Sequence, residues 1–318
     1  MVSEFDLIAR YFSPPTTHTV LGGGDDAALL AVTPGMELVV STDMLVGGRH
    51  FFEDADPYGI GYKSLAVNLS DIAAMGARPR WVTLSVAFPK ADQQWIGRFA
   101  QGFLDLARNH DVALVGGDTT RGPLNICVQI MGEAPAGAAL RRAGARAGDQ
   151  VWVSGTLGDA ALALAHLRGD FTLHSSGLDF AMQRLDHPTP RVALGEGLRG
   201  IATSAIDVSD GLVADAGHIA ERSKVRIVIE WESVPLSDVT QRDRSHPLIR
   251  ACALAGGDDY ELCFTAPGAL HAALIALSDA LGVALTPIGR VETGQGVIVV
   301  DASGNPISLE RHGFDHFG

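Results

Sequence analysis

The stretch PYGIGYKSLAVNLSDIAAMG, residues 57–76, organises the reading of this chain. It opens on proline, which presets the backbone for a first helical turn, and closes on glycine, which can take the left-handed angle that ends a helix. From Leu65 onward the positions are mostly Leu, Ala, Val, Ile and Met. Ser64, Asn68 and Asp71 recur at helical spacing and so share one face. A solvated face would carry Lys, Glu or Arg, so this narrow stripe of small polar groups is expected to face a polar site.

Outward from that helix, strand-like runs occupy 37–45, 80–88, 112–117, 125–133, 150–155, 226–231, 260–265 and 296–301. Helical runs lie between them at 93–109, 159–167, 212–223 and 270–281, and residues 1–12 read as a short amphipathic helix. Such intermixing defines an α/β or α+β chain. A length of 318 residues implies two domains. The segment PAGAALRRAGARAGDQ (135–150) is rich in Gly, Ala and Arg, has no apolar period and precedes a fresh strand. It divides the chain into expected domains 1–137 and 138–318.

Composition narrows the function. The net charge of −13 disfavours nucleic acid and anionic membrane as partners. No apolar run reaches the length of a membrane span, and the N-terminus lacks the basic start of a signal peptide. Three cysteines, Cys127, Cys252 and Cys263, form no C-x-x-C pair and are expected to be inert core thiols of a cytoplasmic protein.

The aspartates are the informative residues. They sit in Gly-rich or apolar contexts: GDDAALL (24–30), STDMLVGGRHF (41–51), NLSD (68–71), LVGGDTTRGPL (114–124), SAIDVSDGLVAD (204–215) and GGDDYELCF (256–264). Asp in such surroundings is costly unless a cation or a cap compensates it, and the chain has only three lysines. Helix capping or turn formation accounts for any single one. Together they point to Mg²⁺, a hard ion that takes carboxylate and hydroxyl oxygens and bridges to phosphates. The chain has no P-loop motif and no protein-kinase signature. GGGDDA formally matches a dinucleotide fingerprint, but its two Asp would repel a pyrophosphate. If phosphate is handled, Asp-bound Mg²⁺, glycine backbone and arginine must do it. Arg142 in the basic segment either pairs with a phosphate or is simply solvated.

With EFDLIARYF (4–12), YKSLAVNLSDIAAMGARPRW (62–81) and GFDHF (313–317), these motifs resemble the thiamine-monophosphate kinases, within the superfamily of aminoimidazole ribonucleotide synthetase and selenophosphate synthetase. The resemblance runs over essentially the whole chain. It implies a two-domain α/β (α+β) fold with mixed sheets flanked by helices, and a homodimer formed through the N-terminal domains. It also implies ATP-dependent phosphorylation of thiamine monophosphate to thiamine diphosphate, the final step of that biosynthesis. On this resemblance the N-terminal domain binds ATP and Mg²⁺, and the C-terminal domain completes the phosphate and substrate site.

Carried over by motif, Asp26, Ser41, Thr42, Asp43, Asp71, Asp118, Asp207 and Asp210 would hold several Mg²⁺ ions. Asp43 and Asp71 would be the catalytically central pair. Gly117, Asp118, Arg142 and Ser209 would contact ATP, and His50, Asp258 and Phe314 the thiamine phosphate. Family members often carry Glu where this chain has Asp258. The alternatives are another ATP-dependent kinase or synthetase of the superfamily, and a non-catalytic nucleotide sensor. The absence of any Cys before residue 127 disfavours a selenophosphate synthetase.

Overall fold

The protein is described by a computed structural model over residues 4–311 and 313. It forms two units, one of residues up to Ile72 with Ala77–Gly137, the other of Ala73–Gly76 with the chain from Ala138 onward.

The elements up to residue 137 are α1 (Glu4–Tyr11), β1 (Met36–Val46), α2 (Pro57–Ala74), β2 (Arg78–Phe88), α3 (Gln93–Asn109), β3 (Ala113–Arg121) and β4 (Asn125–Pro135). The strands form one sheet in the order β1-β4-β2-β3. β4 pairs antiparallel with both β1 and β2, and β3 runs parallel to β2. Ile96, Phe99 and Phe103 of α3, Leu65, Leu69 and Ile72 of α2, and Ile126 and Ile130 of β4 are fully buried. Asp92 starts α3 by accepting the N–H groups of Gln94 and Trp95 at 3.1 and 3.2 Å.

Helices α2 and α3 cross at two glycines. A Cβ on Gly61 would lie 2.0 Å from the carbonyl oxygen of Phe99, and one on Gly102 would lie 2.0 Å from that of Tyr58. Only hydrogen side chains permit this approach, which seats α2 firmly.

The second unit continues with β5 (Asp149–Ser154), α4 (Asp159–Arg168), α5 (Ser175–Asp186), α6 (Val192–Leu198), β6 (Ser204–Asp207), α7 (Leu212–Ser223) and β7 (Arg226–Glu230). It ends with α8 (Pro247–Ala255), β8 (Leu262–Pro267), α9 (His271–Leu281), β9 (Leu285–Glu292) and β10 (Gly296–Val300). Its sheet has the order β10-β7-β9-β5-β8-β6, parallel only between β10 and β7. α7 lies against β6, β7, β8 and β10, and its Leu212, Ala216 and Ile219 enter a core with Val151, Val153, Ile206, Ile227, Ile229 and Ile288. The chain is thus a mixed α/β protein with two mixed sheets flanked by helices.

Several elements differ from the sequence expectation. β6 is only four residues long, too short for a periodic signal. β9 contains Pro287 and Gly289, which read as breakers, yet the ladder with β5 shifts register there and a bulge tolerates proline. The 260–265 strand begins only at Leu262, because Asp258 and Tyr260 take positive φ of 70° and 51° and form a turn instead. Helices α5, α6 and α8 were not marked by a clear apolar period.

Substituting Gly102→Ala should lower unfolding stability by about 1–3 kcal/mol, as expected for overpacking of a tight contact. Chemical denaturation of the variant against the wild type measures it.

Candidate active site

In the first unit, a group of candidate residues gathers where β1 meets α2. Ser41 and Asp43 are two residues apart on β1 and project to the same side of the strand. The Ser41 hydroxyl donates a short hydrogen bond to Asp71 Oδ2 on α2. Burial and, secondarily, the Asp71 charge push the Asp43 carboxyl up to about 7. Two carboxylates and a hydroxyl therefore share one small volume. Thr42 alternates to the exposed side of the strand.

The polar stripe of α2 avoids solvent, as its sequence reading expects, but its members are used differently. Ser64 and Asn68 are fully buried, not solvated. However, the Ser64 hydroxyl bonds the Gly61 carbonyl at 2.8 Å and the Asn68 amide bonds the Ser64 carbonyl at 2.9 Å, so the helix's own backbone takes their donors. Asn68 Oδ1 is buried and receives no hydrogen bond among the described residues. Of the three, Asp71 is the one that meets the side chains of β1.

Elsewhere in this unit, Asp26 lies exposed in a loop closed by the Leu21–Leu29 bridge, its N–H bonded to the Asp25 side chain at 2.9 Å. Gly117 and Asp118 lie within β3, opposite Leu84 and Ser85 of β2, and Asp118 is exposed. His50 accepts the Val46 N–H on Nδ1 at 2.9 Å, which places the proton of the neutral ring on Nε2.

The second unit carries its own group of candidate residues. Asp207 ends β6 and is buried, while Ser209 and Asp210 follow in the turn that enters α7. Asp215, in the first turn of α7, accepts the N–H groups of Ser209, Asp210 and Gly211 on one oxygen, at 3.0, 3.1 and 3.1 Å. Burial pushes its carboxyl up to about 7, the Asp210 charge adds to this, and the three N–H groups partly offset both. Arg142 is exposed, and its carbonyl accepts the Ser223 hydroxyl at 3.2 Å.

Asp258 sits in the left-handed turn before β8, its carboxyl 3.2 Å from the Tyr260 hydroxyl. The alternate residues of that turn point inward. Asp259 accepts the Gly158 N–H at 2.9 Å. Glu261, fully buried, accepts Ser154 Oγ at 2.6 Å, Arg184 at 2.8 Å and Arg191 Nε at 2.6 Å. Phe314 lies outside the described residues.

The donors around Asp43 and Asp71 are all oxygen, which suits Mg²⁺ and not a soft transition metal. Among the described residues, no three His, Cys, Asp or Glu side chains gather as a ready-made metal centre. Sequence reasoning did not single out Asp215, Glu261, Arg184 or Arg191. Only Asp215 had a local signal, four residues after the Gly of SDG.

Comparison with known proteins agrees with this architecture. Residues 24–134 match the N-terminal domain of AIR synthase related proteins, and residues 146–302 match their C-terminal domain. The fold is therefore that of the AIR synthase related proteins. The chain is 43% identical to thiamine-monophosphate kinase of Escherichia coli K12 over 99% of its length and 98% of that protein. The crystal structure of thiamine-monophosphate kinase from Stenotrophomonas maltophilia K279a is 48% identical, with a TM-score of 0.85 over 91% of this chain and 92% of that one. AaThiL complexed with AMPPCP and TMP matches with a TM-score of 0.78 at 32% identity, over 99% of this chain and 97% of that one. Within the AIR synthase related proteins, the chain belongs to the thiamine-monophosphate kinase family.

The raised Asp43 carboxyl has a consequence for stability without divalent ions. Its folded pKa lies above the unfolded value of 3.8, so its contribution is full below pH 3.8 and is lost as pH rises through about 7. Between pH 5 and pH 8 the wild type should lose about 1–3 kcal/mol through this group, and Asp43→Asn should not. Thermal melts in chelator across that range compare the two.

Proposed function

We infer that this chain transfers the γ-phosphoryl group of ATP to the phosphate of thiamine monophosphate, giving thiamine diphosphate and ADP. The pairing of Ser41 and Asp43 on β1 with Asp71 on α2 carries this reading, since it is an oxygen-only site of the kind phosphoryl transfer uses. The homologous complex with AMPPCP, an ATP analogue, and TMP supports it.

The acceptor needs no strong base. A phosphate monoester is already anionic at neutral pH, so one of its oxygens attacks the γ-phosphorus in line. The new P–O bond forms as the bond to the β-phosphate oxygen breaks, and ADP leaves with the electron pair. The difficulty is bringing anions together. Bound Mg²⁺ supplies the charge that neutralises the phosphates.

The chain's own residues hold and orient. Asp26, Ser41, Thr42, Asp43, Asp71 and Asp118 in the first unit, and Asp207 and Asp210 in the second, are the proposed ligands of several Mg²⁺ ions. Asp43 and Asp71 are the central pair. Gly117, Asp118, Arg142 and Ser209 are assigned to ATP. His50 is assigned to the thiamine phosphate, where its Nε2–H is a donor suited to a phosphate oxygen. Asp258 and Phe314 are assigned to the remainder of that substrate. Residues 1–137 form the ATP-, Mg²⁺- and dimer-forming domain, and 138–318 complete the substrate site.

A cytoplasmic homodimer completes the proposal. No helix of the described residues is long and apolar enough to cross a membrane. The three cysteines are free. The acidic surface disfavours nucleic acid as a partner. On β1 the alternate residues Met36, Leu38, Val40 and Met44 expose 38–55% of their surface, an apolar row on an edge strand. Such a row is suited to burial against a second copy.

Two measurements test this. Incubation with ATP, Mg²⁺ and thiamine monophosphate should yield thiamine diphosphate, and Asp71→Asn should lower kcat by about 100-fold or more, the scale of a misplaced metal. ATP hydrolysis independent of the thiamine compound, or an Asp71→Asn enzyme within threefold of wild type, would sink the reading of the reaction or of that residue. Sedimentation should show a dimer, which Val40→Asp converts to monomer.

A further inference from the structure

Three successive N–H groups aimed at one point form the kind of backbone cradle that loops use to capture a phosphate oxygen. The turn at 209–211 has this geometry, but the protein's own Asp215 carboxylate fills it. Asp215 is 2% exposed and lies in the core end of α7. With those donors taken, the turn itself carries the Asp210 carboxylate, and Asp207 precedes it, buried at the end of β6. A cation, not a bare phosphate, is what such a turn is suited to meet.

The same turn also holds the turn at 256–260. The Ser209 carbonyl accepts the Asp258 N–H at 2.9 Å, and the Val208 carbonyl accepts the Tyr260 N–H at 2.8 Å. The backbones are so close that a Cβ on Gly257 would lie 2.4 Å from the Ser209 carbonyl oxygen. Asp258 and Tyr260 occupy left-handed conformations that an isolated chain would rarely keep. Two successive peptides thus face both ways, their N–H groups bound to Asp215 and their carbonyls to the 256–260 turn.

We propose that Asp215 is a positioning residue that sets the cation-binding turn and the substrate-facing turn together, through the two sides of Ser209. This rests on the function proposed above, in which Asp207 and Asp210 hold metal and Asp258 meets thiamine monophosphate. It assigns no contact with any ligand to Asp215 itself.

The test uses the full-length protein with Mn²⁺ as a spectroscopic stand-in for Mg²⁺, titrated in the presence of AMPPCP. Asp215→Ala should weaken Mn²⁺ binding by about 10-fold, the usual scale for loss of an outer-shell partner. It should also raise KM for thiamine monophosphate by a comparable factor, with a smaller change in kcat at saturation. Asp215→Asn, whose amide oxygen can still accept the N–H groups, should return Mn²⁺ affinity to within threefold of wild type.

Should Asp215→Ala fail to fold, Gly257→Ala carries the same test. Its added methyl forces Ser209 and the 256–260 turn apart without touching Asp215, and the paired losses should recur. The proposal is overturned if folded Asp215→Ala or Gly257→Ala binds Mn²⁺ and thiamine monophosphate within twofold of wild type, or if only one of the two affinities changes. A wild type that binds Mn²⁺ tightly, and loses that binding in Asp215→Ala, yet forms no thiamine diphosphate, would overturn the proposed reaction and not the metal-side positioning.

Discussion

A carboxylate taken out of water must be compensated, and this requirement shapes both units of the chain. Glu261 is met by two arginines and a serine hydroxyl, Asp215 by three backbone N–H groups, and Asp259 by the Gly158 N–H. Asp43 is treated differently. It faces a second carboxylate, Asp71, which accepts the hydroxyl of Ser41. Where the protein supplies the compensation, the acid holds a loop in place. Where another acid stands opposite, burial and the neighbouring charge raise the carboxyl's pKa instead.

Backbone strain follows the same division. Asp258 and Tyr260 each take a left-handed conformation, a cost on the order of 1–2 kcal/mol per residue. The intervening Asp259 and the following Glu261 are buried and bonded to β5 and the loop after it. The alternation lets inward acids pin the turn while Asp258 is presented outward. The strain is offset by the ion cluster around Glu261, and the strand begins two residues later than its composition implies.

Much of the architecture was legible in the residues. The 57–74 helix, its proline start and its glycine end are local features, and the strands of the first sheet are apolar enough to stand out. The Asp-bearing motifs were equally legible, because aspartate among Gly, Val and Leu is chemically conspicuous. β6 and β9 were not, since one is four residues long and the other carries proline at a bulge. The roles of Glu261, Arg184 and Arg191 were hidden because their bonds join residues 70 to 107 positions apart.

What the sequence by itself determined is the chemical character: acid-rich and lysine-poor, with aspartates set among Gly and apolar residues, within a chain of alternating strands and helices. Tertiary structure decided which acids are which. Ser64, Asn68 and Asp71 share one helical face, yet two of them spend their donors on their own helix and only Asp71 meets β1. Asp207, Asp210 and Asp215 look alike in sequence, yet Asp215 faces the backbone of the turn that bears Asp210. Spacing along a chain sets the face a residue occupies. What that face meets depends on packing between distant segments, and there a carboxylate becomes an anchor or a ligand.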